Sequence, residues 1–279
     1  MPLIMIHFFR SLNLSYSNEI SQTNNFNATT KLWIQENNLV FKEYVLYNKT
    51  TIKNIMTLLV LSLKLRHKDF PEINLPISII IKYFYVKGYL MPFCVGTSIS
   101  EFLKSNTNTD ETKLFALIEL VKVIEKLPSH IFIGDLHGRN VIVEPKGNIH
   151  IIDIDGFSVY FNKISCPISS MYPYDFLDCK KYRCKNKKIK ISKDSDIFCF
   201  FVLFLQWLMD VENPFQYTQE EINKYLNYLN RVKFPKDIIC MVRKLFTNES
   251  NYLNADAFYQ IDLNEIKRYR YKTFALENI

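Results

Sequence analysis

At 279 residues, 48% apolar and 15% aromatic, the chain is long enough for one large domain or two small lobes, and too apolar for general disorder. Its net charge of +7 is local: residues 180–193, KKYRCKNKKIKISK, hold eight Lys or Arg and no acid, and leave the rest of the chain at −1. That segment reads either as a solvated loop or as a docking surface for an acidic partner or phosphate groups, and its scarcity of stacking aromatics argues against a nucleic-acid groove.

In chain order, MPLIMIHFF is apolar but lacks a basic leader and a small-residue cleavage site, so it is expected to pack as a strand or helix edge and not to act as a signal. Residues 20–44 alternate and break at two Asn-rich points, which predicts three antiparallel strands. NKTTIKNIMTLLVLSLKLRH (48–67) has helical spacing. Two more strands are expected around 77–93, with Lys87-Gly88 as their turn. A short helix over 98–104 follows. In the next predicted helix, 110–127, Leu114, Leu117, Ile118, Val121 and Ile124 share one face, and Pro128 ends it. IGDLHGRNVIVEPKGNIHIIDIDGF (133–157) reads as a hairpin turning at EPKGN. Beyond the irregular 158–193 stretch, the nine-residue apolar run IFCFFVLFL (197–205) is far short of a bilayer span and predicts a buried helix, with amphipathic helices to the end. The six cysteines form no CxxC pair, as suits reduced thiols in a cytoplasmic protein. A zinc site from Cys179, Cys184 and a histidine would lack the usual pair spacing. The expected boundary lies near residue 95, giving a β-rich lobe over 1–95 and a helical lobe over 96–279.

Within 133–157, Asp135 and Asn140 are five apart and Asp153 lies across the hairpin. An amide oxygen and a carboxylate brought together there would suit Mg²⁺ with several retained waters. Asp135, in the preceding loop, could take a proton from an incoming hydroxyl. A metal site beside a base is the equipment of phosphoryl transfer. The bland reading is that these residues are turn and cap formers, which both types favour.

Together these features resemble the protein-kinase-like superfamily. IGDLHGRNVIV is similar to its catalytic loop, IIDIDGF to its magnesium-binding Asp-Phe-Gly segment, and SDIFCFFVLFLQWL to its long core helix. YLMPFCVGTSISEFL resembles the hinge between lobes with the helix after it, and LVFKEY the third strand with its lysine. The resemblance runs from about residue 20 to about 265. It implies an α+β bilobal fold with a small antiparallel β-rich N-lobe and a larger, mainly helical C-lobe. By position it makes Asp135 the catalytic base and Asn140 and Asp153 the Mg²⁺ ligands. Lys42 would hold the ATP phosphates, Met91 would back the adenine pocket, and the Pro92 carbonyl and Cys94 amide would meet the adenine edge. Asp196 would fix the catalytic-loop backbone. His137 stands where small-molecule kinases of this fold carry histidine and protein kinases a lysine; the bland reading is that it bonds the loop backbone.

Some features depart from the pattern. No glycine precedes Gly88, so an Asn-rich turn around 24–27 would have to cover the phosphates. No acid lies between Glu43 and Asp69, so the 48–67 helix offers no glutamate to Lys42, and Glu43, next to it on a strand, points to the opposite face. Ile133-Gly134 replaces His-Arg before the base. Asp155 replaces the glycine of Asp-Phe-Gly and reads either as a loop carboxylate or as a second metal ligand. The expectation is an ATP- and Mg²⁺-dependent phosphotransferase acting on Ser/Thr hydroxyls of a protein substrate, without a membrane span. The alternatives are a small-molecule kinase of the aminoglycoside or choline type, and a pseudokinase scaffold working through 180–193.

Overall fold

The computed structural model describes residues 5–8, 18–19, 30–35, 38–159, 183–184, 188–189, 192–211, 214, 219–231, 233–246 and 253–264. The architecture is mixed α+β, with a largely antiparallel sheet toward the N-terminus and helices after it. The chain divides into two compact units, Met1–Val95 with His150–Val159, and Gly96–Ile149 with Tyr160–Ile279.

The first unit is built on six strands: β1 (Met5–Phe8), β2 (Asn18–Glu19), β3 (Thr30–Gln35), β4 (Leu39–Tyr44), β5 (Ser78–Lys82) and β6 (Tyr85–Pro92), in the order β1-β5-β6-β4-β3-β2. All neighbours are antiparallel except β1, which runs parallel to β5. The apolar MIHF stretch is thus an edge strand. Helix α1 (Lys49–Lys64) starts at Asn48, whose side chain accepts from the Thr51 N–H at 2.9 Å, a capping device that typically contributes about 1 kcal/mol. On one sheet face Phe41, Ile80 and Leu90 form a buried cluster with Trp33 packed against it.

The β5–β6 turn corrects the sequence expectation. The two-residue connection is Tyr83-Phe84, both at positive φ (47° and 70°), while Lys87 and Gly88 lie inside β6. Gly88 serves close approach: a Cβ there would strike the Lys42 carbonyl oxygen and come within 2.8 Å of the Phe41 ring. Glycine was read as punctuation where it is a packing requirement.

The second unit opens with β7 (Thr97–Ser98), which pairs with β9 (Val141–Val143). Helix α2 (Ile99–Lys104) begins with a Ser98/Glu101 capping box. Helix α3 (Asp110–Lys126) buries Leu114, Leu117, Ile118, Val121 and Ile124, the predicted face. After β8 (Ile131–Phe132) and β9 the chain turns at EPKGN, where the Glu144 N–H donates to the Asn148 carbonyl at 2.9 Å. Strand β10 (Ile149–Ile151) leads into the first unit, where the Asn74 N–H donates to the Ile151 carbonyl and the Ile151 N–H to the Glu72 carbonyl. After β11 (Ser158–Val159) the described pieces are β12 (Arg183–Cys184) and β13 (Lys188–Ile189), then α4 (Lys193–Met209), α5 (Gln219–Arg231), α6 (Lys236–Phe246) and α7 (Ala255–Phe258).

Helix α4 is buried on nearly every side, as its apolar run predicts. Phe200 and Phe204 meet Phe258 of α7 edge-on at 5.4 and 5.3 Å, an aromatic arrangement stronger than area alone would give. Among the described residues no helix is long and apolar enough to cross a membrane.

Candidate functional site

The first group of polar residues lies in the first unit. Strand β4 alternates, so Lys42 and Tyr44 share one face while Phe41 and Glu43 take the other. Register sets Tyr89 of β6 opposite Lys42. Facing them is the turn after β10. There Asp153 sits in the left-handed region (φ 60°), which Asp tolerates, and starts a single 3₁₀ turn over Ile154–Gly156. The turn presents both of its carboxylates to the same amine: Lys42 Nζ pairs with Asp153 Oδ1 and with Asp155 Oδ1, the latter at 2.6 Å.

The two acids differ in surroundings. The Asp153 side chain is 41% exposed and that of Asp155 only 2%. Asp155 Oδ1 also accepts from the Tyr89 hydroxyl at 3.1 Å. Its Oδ2 accepts from the Tyr44 hydroxyl at 3.2 Å and, more weakly, from Asn54 Nδ2 of α1 at 3.4 Å. Burial and then the Asp155 charge push both phenols above their ordinary range, so they stay protonated and donate. Burial draws the Lys42 amine down, but Asp153 and Asp155 more than reverse this, and the amine remains an ammonium. Burial also pushes the Asp155 carboxyl up; Lys42 pulls against it and Asp153 adds to it.

Glu43 is no partner to Lys42. It lies on the other sheet face, accepting from the Trp33 indole at 2.8 Å and pairing with Lys87 at 2.6 Å. The expected adenine-edge residues follow along β6. Met91 is buried opposite Val40, and the Pro92 carbonyl accepts from Asn74 Nδ2 at 3.1 Å. The same carbonyl also accepts a weak contact from Cys94 Sγ at 4.0 Å. Cys94 follows the strand, half-buried.

The second group lies in the second unit. Asn140 Nδ2 donates to the Asp135 carbonyl at 3.0 Å and lies 3.5 Å from Asp135 Oδ2, so the loop's amide and carboxylate sit side by side. His137 Nδ1 accepts from the Arg139 N–H at 3.2 Å; in the neutral ring this places the proton on Nε2, 3.7 Å from Asp135 Oδ2. The loop backbone is held by Asp196, at the start of α4. Its two oxygens accept from the Ile133 and Gly134 N–H groups, both at 2.8 Å. Gly134 has φ 74°, which favours glycine at that position. Gly138 meets α2 so closely that a Cβ would collide with the Ser100 side chain. Burial pushes the Asp196 carboxyl up to about 7, against the pull of the two N–H donors and Lys193.

The structure thus brings Lys42 and Asp153 together in one unit, and Asp135, His137 and Asn140 together in the other. Tyr44, Tyr89 and Asn54 were not among the expected site residues. The period-2 pattern of β4, which sets Tyr44 beside Lys42, was the available signal. Asp155, read either as a loop carboxylate or as a second metal ligand, is here a turn carboxylate that is buried and paired with Lys42. Among the described residues no three or more His, Cys, Asp or Glu side chains form a metal-holding cluster. The half-exposed Asp153 carboxylate is by itself a donor of the kind Mg²⁺ takes, with waters and phosphate oxygens completing its shell. The Asn-rich 24–27 turn, Cys179 and most of the basic 180–193 segment lie outside the described residues. No protein-family model matches the chain, and no curated protein is significantly similar to it.

Proposed function

We propose that the chain is a divergent ATP- and Mg²⁺-dependent phosphotransferase with a bilobal protein-kinase-like fold, transferring phosphate to Ser/Thr hydroxyls of a protein. The observation that carries this reading is the ion pair between Lys42 and Asp153, 111 residues apart in sequence. These are the strand lysine and the carboxylate that the resemblance assigns to phosphate and metal. The loop geometry also supports it: Asp135 and Asn140 are neighbours, on a backbone clamped by Asp196.

In this reading Lys42 leaves Asp153 to neutralise the nucleotide phosphates, and Asp135 orients an incoming hydroxyl and takes its proton. The resemblance assigns Mg²⁺, which supplies charge neutralisation on the phosphates, to Asn140 and Asp153. His137, with its Nε2 near Asp135, favours a second reading, a small-molecule kinase of the aminoglycoside or choline type.

Transfer of labelled γ-phosphate, offered in parallel to a casein-like protein and to small amino alcohols, tests the proposal and separates these readings. Label on the protein supports the first, and label on the alcohols the second. With Asp135→Ala, turnover should fall by at least about 10²-fold while nucleotide binding persists. Turnover that survives this substitution would remove Asp135 from the role. No transfer to either class, with nucleotide still bound, would favour a scaffold.

A further inference from the structure

We propose that Asp155 is the fixed counter-ion and positioning residue of Lys42, taking the place of an acid on α1, and that Asp153 is the exchangeable partner. This rests on the phosphotransferase reading for its consequence, but the pairing itself can be tested without it.

Helix α1 runs KTTIKNIMTLLVLSLK and carries no acid. What it sends toward the lysine is an amide, Asn54, and that amide meets Asp155. The Asp155 carboxylate is therefore surrounded by donors from three elements: Lys42 and Tyr44 of β4, Tyr89 of β6, and Asn54 of α1. Four donors match the roughly four lone-pair directions of a carboxylate, so a buried charge here is both paired and hydrogen-bonded. Without that carboxylate the two phenols and the ammonium would be left buried and short of acceptors.

Asp153 competes for the same ammonium from a half-exposed position. Detaching it returns a carboxylate toward water, whereas detaching Asp155 would leave two oppositely charged groups in the interior. When the amine turns to a new anionic ligand, Asp153 is thus the partner that gives way. The counter-ion and the exchangeable acid stand two residues apart on one turn, and both belong to the same compact unit as Lys42. The position of the lysine is set by the sheet and this turn, with no carboxylate supplied by α1.

The test joins a stability cycle with a binding measurement on the full chain. Urea midpoints are taken for wild type, Asp155→Asn, Asp153→Asn, Lys42→Met and the two double variants. Lys42→Met should cost little further once Asp155 is neutralised, and its effect should persist largely intact in Asp153→Asn. Additive losses for Lys42 and Asp155, or a stronger coupling to Asp153, would overturn the proposal. In MgATP binding, Asp155→Asn should weaken affinity by about tenfold or more. Adding Asn54→Glu, which moves the acid onto the helix, should recover part of that loss, which a purely structural role would not produce. If Asp155→Asn does not fold, Tyr89→Phe keeps the ring and removes one donor to Oδ1. It should then weaken MgATP severalfold, and unchanged affinity would overturn the proposal. If wild type binds no MgATP, the phosphotransferase reading fails and the stability cycle alone decides the pairing.

Discussion

Asp196 shows how one buried carboxylate can organise a loop from a distance of more than sixty residues. Its oxygens satisfy two adjacent N–H groups that would otherwise be stranded beside the apolar Ile133 and Leu136. Its pH behaviour follows from the raised carboxyl. The ordinary value is 3.8 and the folded value about 7, so the native state binds this proton more tightly than the unfolded chain does. Stability from this group is present in full below the ordinary value and is lost as pH rises toward 7. The stability difference between wild type and Asp196→Asn should therefore shrink between about pH 4 and about pH 7 in urea melts. A difference that is constant or grows over that range would contradict the assignment. At the same scale, Gly88→Ala should cost roughly 1–3 kcal/mol, because the added methyl meets the Lys42 backbone and the fully buried Phe41 ring. Chemical denaturation would measure it.

Among the elements, the helices followed directly from apolar spacing and caps: α1, α2, α3 and α4 all lie within a few residues of their expected spans. The turn at EPKGN was legible in the sequence, but the turn of the 77–93 hairpin was not. The 77–93 hairpin was given its turn at Lys87-Gly88 because glycine usually marks one; the chain instead turns through two bulky aromatics at positive φ. Such a two-residue turn matches the strand twist but favours Asn-Gly. Replacing Tyr83-Phe84 by Asn-Gly should therefore raise stability by about 1 kcal/mol, since both side chains are exposed and little packing is lost. A lower melting temperature would show that the aromatic tip contributes packing of its own. The site was half legible for a related reason. Lys42 and Asp153 stood out through local patterns, but the partner of Lys42 is 113 residues away and is chosen by tertiary contact. Nothing local in IIDIDGF distinguishes the exposed aspartate from the buried one; the sheet they meet makes that distinction.

At the scale of the whole molecule, each unit carries one half of the proposed chemistry. The first holds the lysine and its two acids, and the second holds Asp135, His137 and Asn140 on a loop tied to α4. The second unit depends on its aromatic core. Phe204→Ala, at a fully buried position packed among Phe200, Trp207 and Phe258, should cost about 3–5 kcal/mol and leave the Lys42 pairing intact. The segment His150–Val159 belongs to the first unit through the Ile151 backbone bonds to Glu72 and Asn74 and the Asp155 bonds to Lys42, Tyr44 and Tyr89. The most direct test of the central claim is a thermal-shift titration with ATP, with and without Mg²⁺, on wild type and Asp153→Ala. The account predicts stabilisation of the wild type that requires Mg²⁺ and is lost in the variant; no shift in wild type at millimolar MgATP would contradict it.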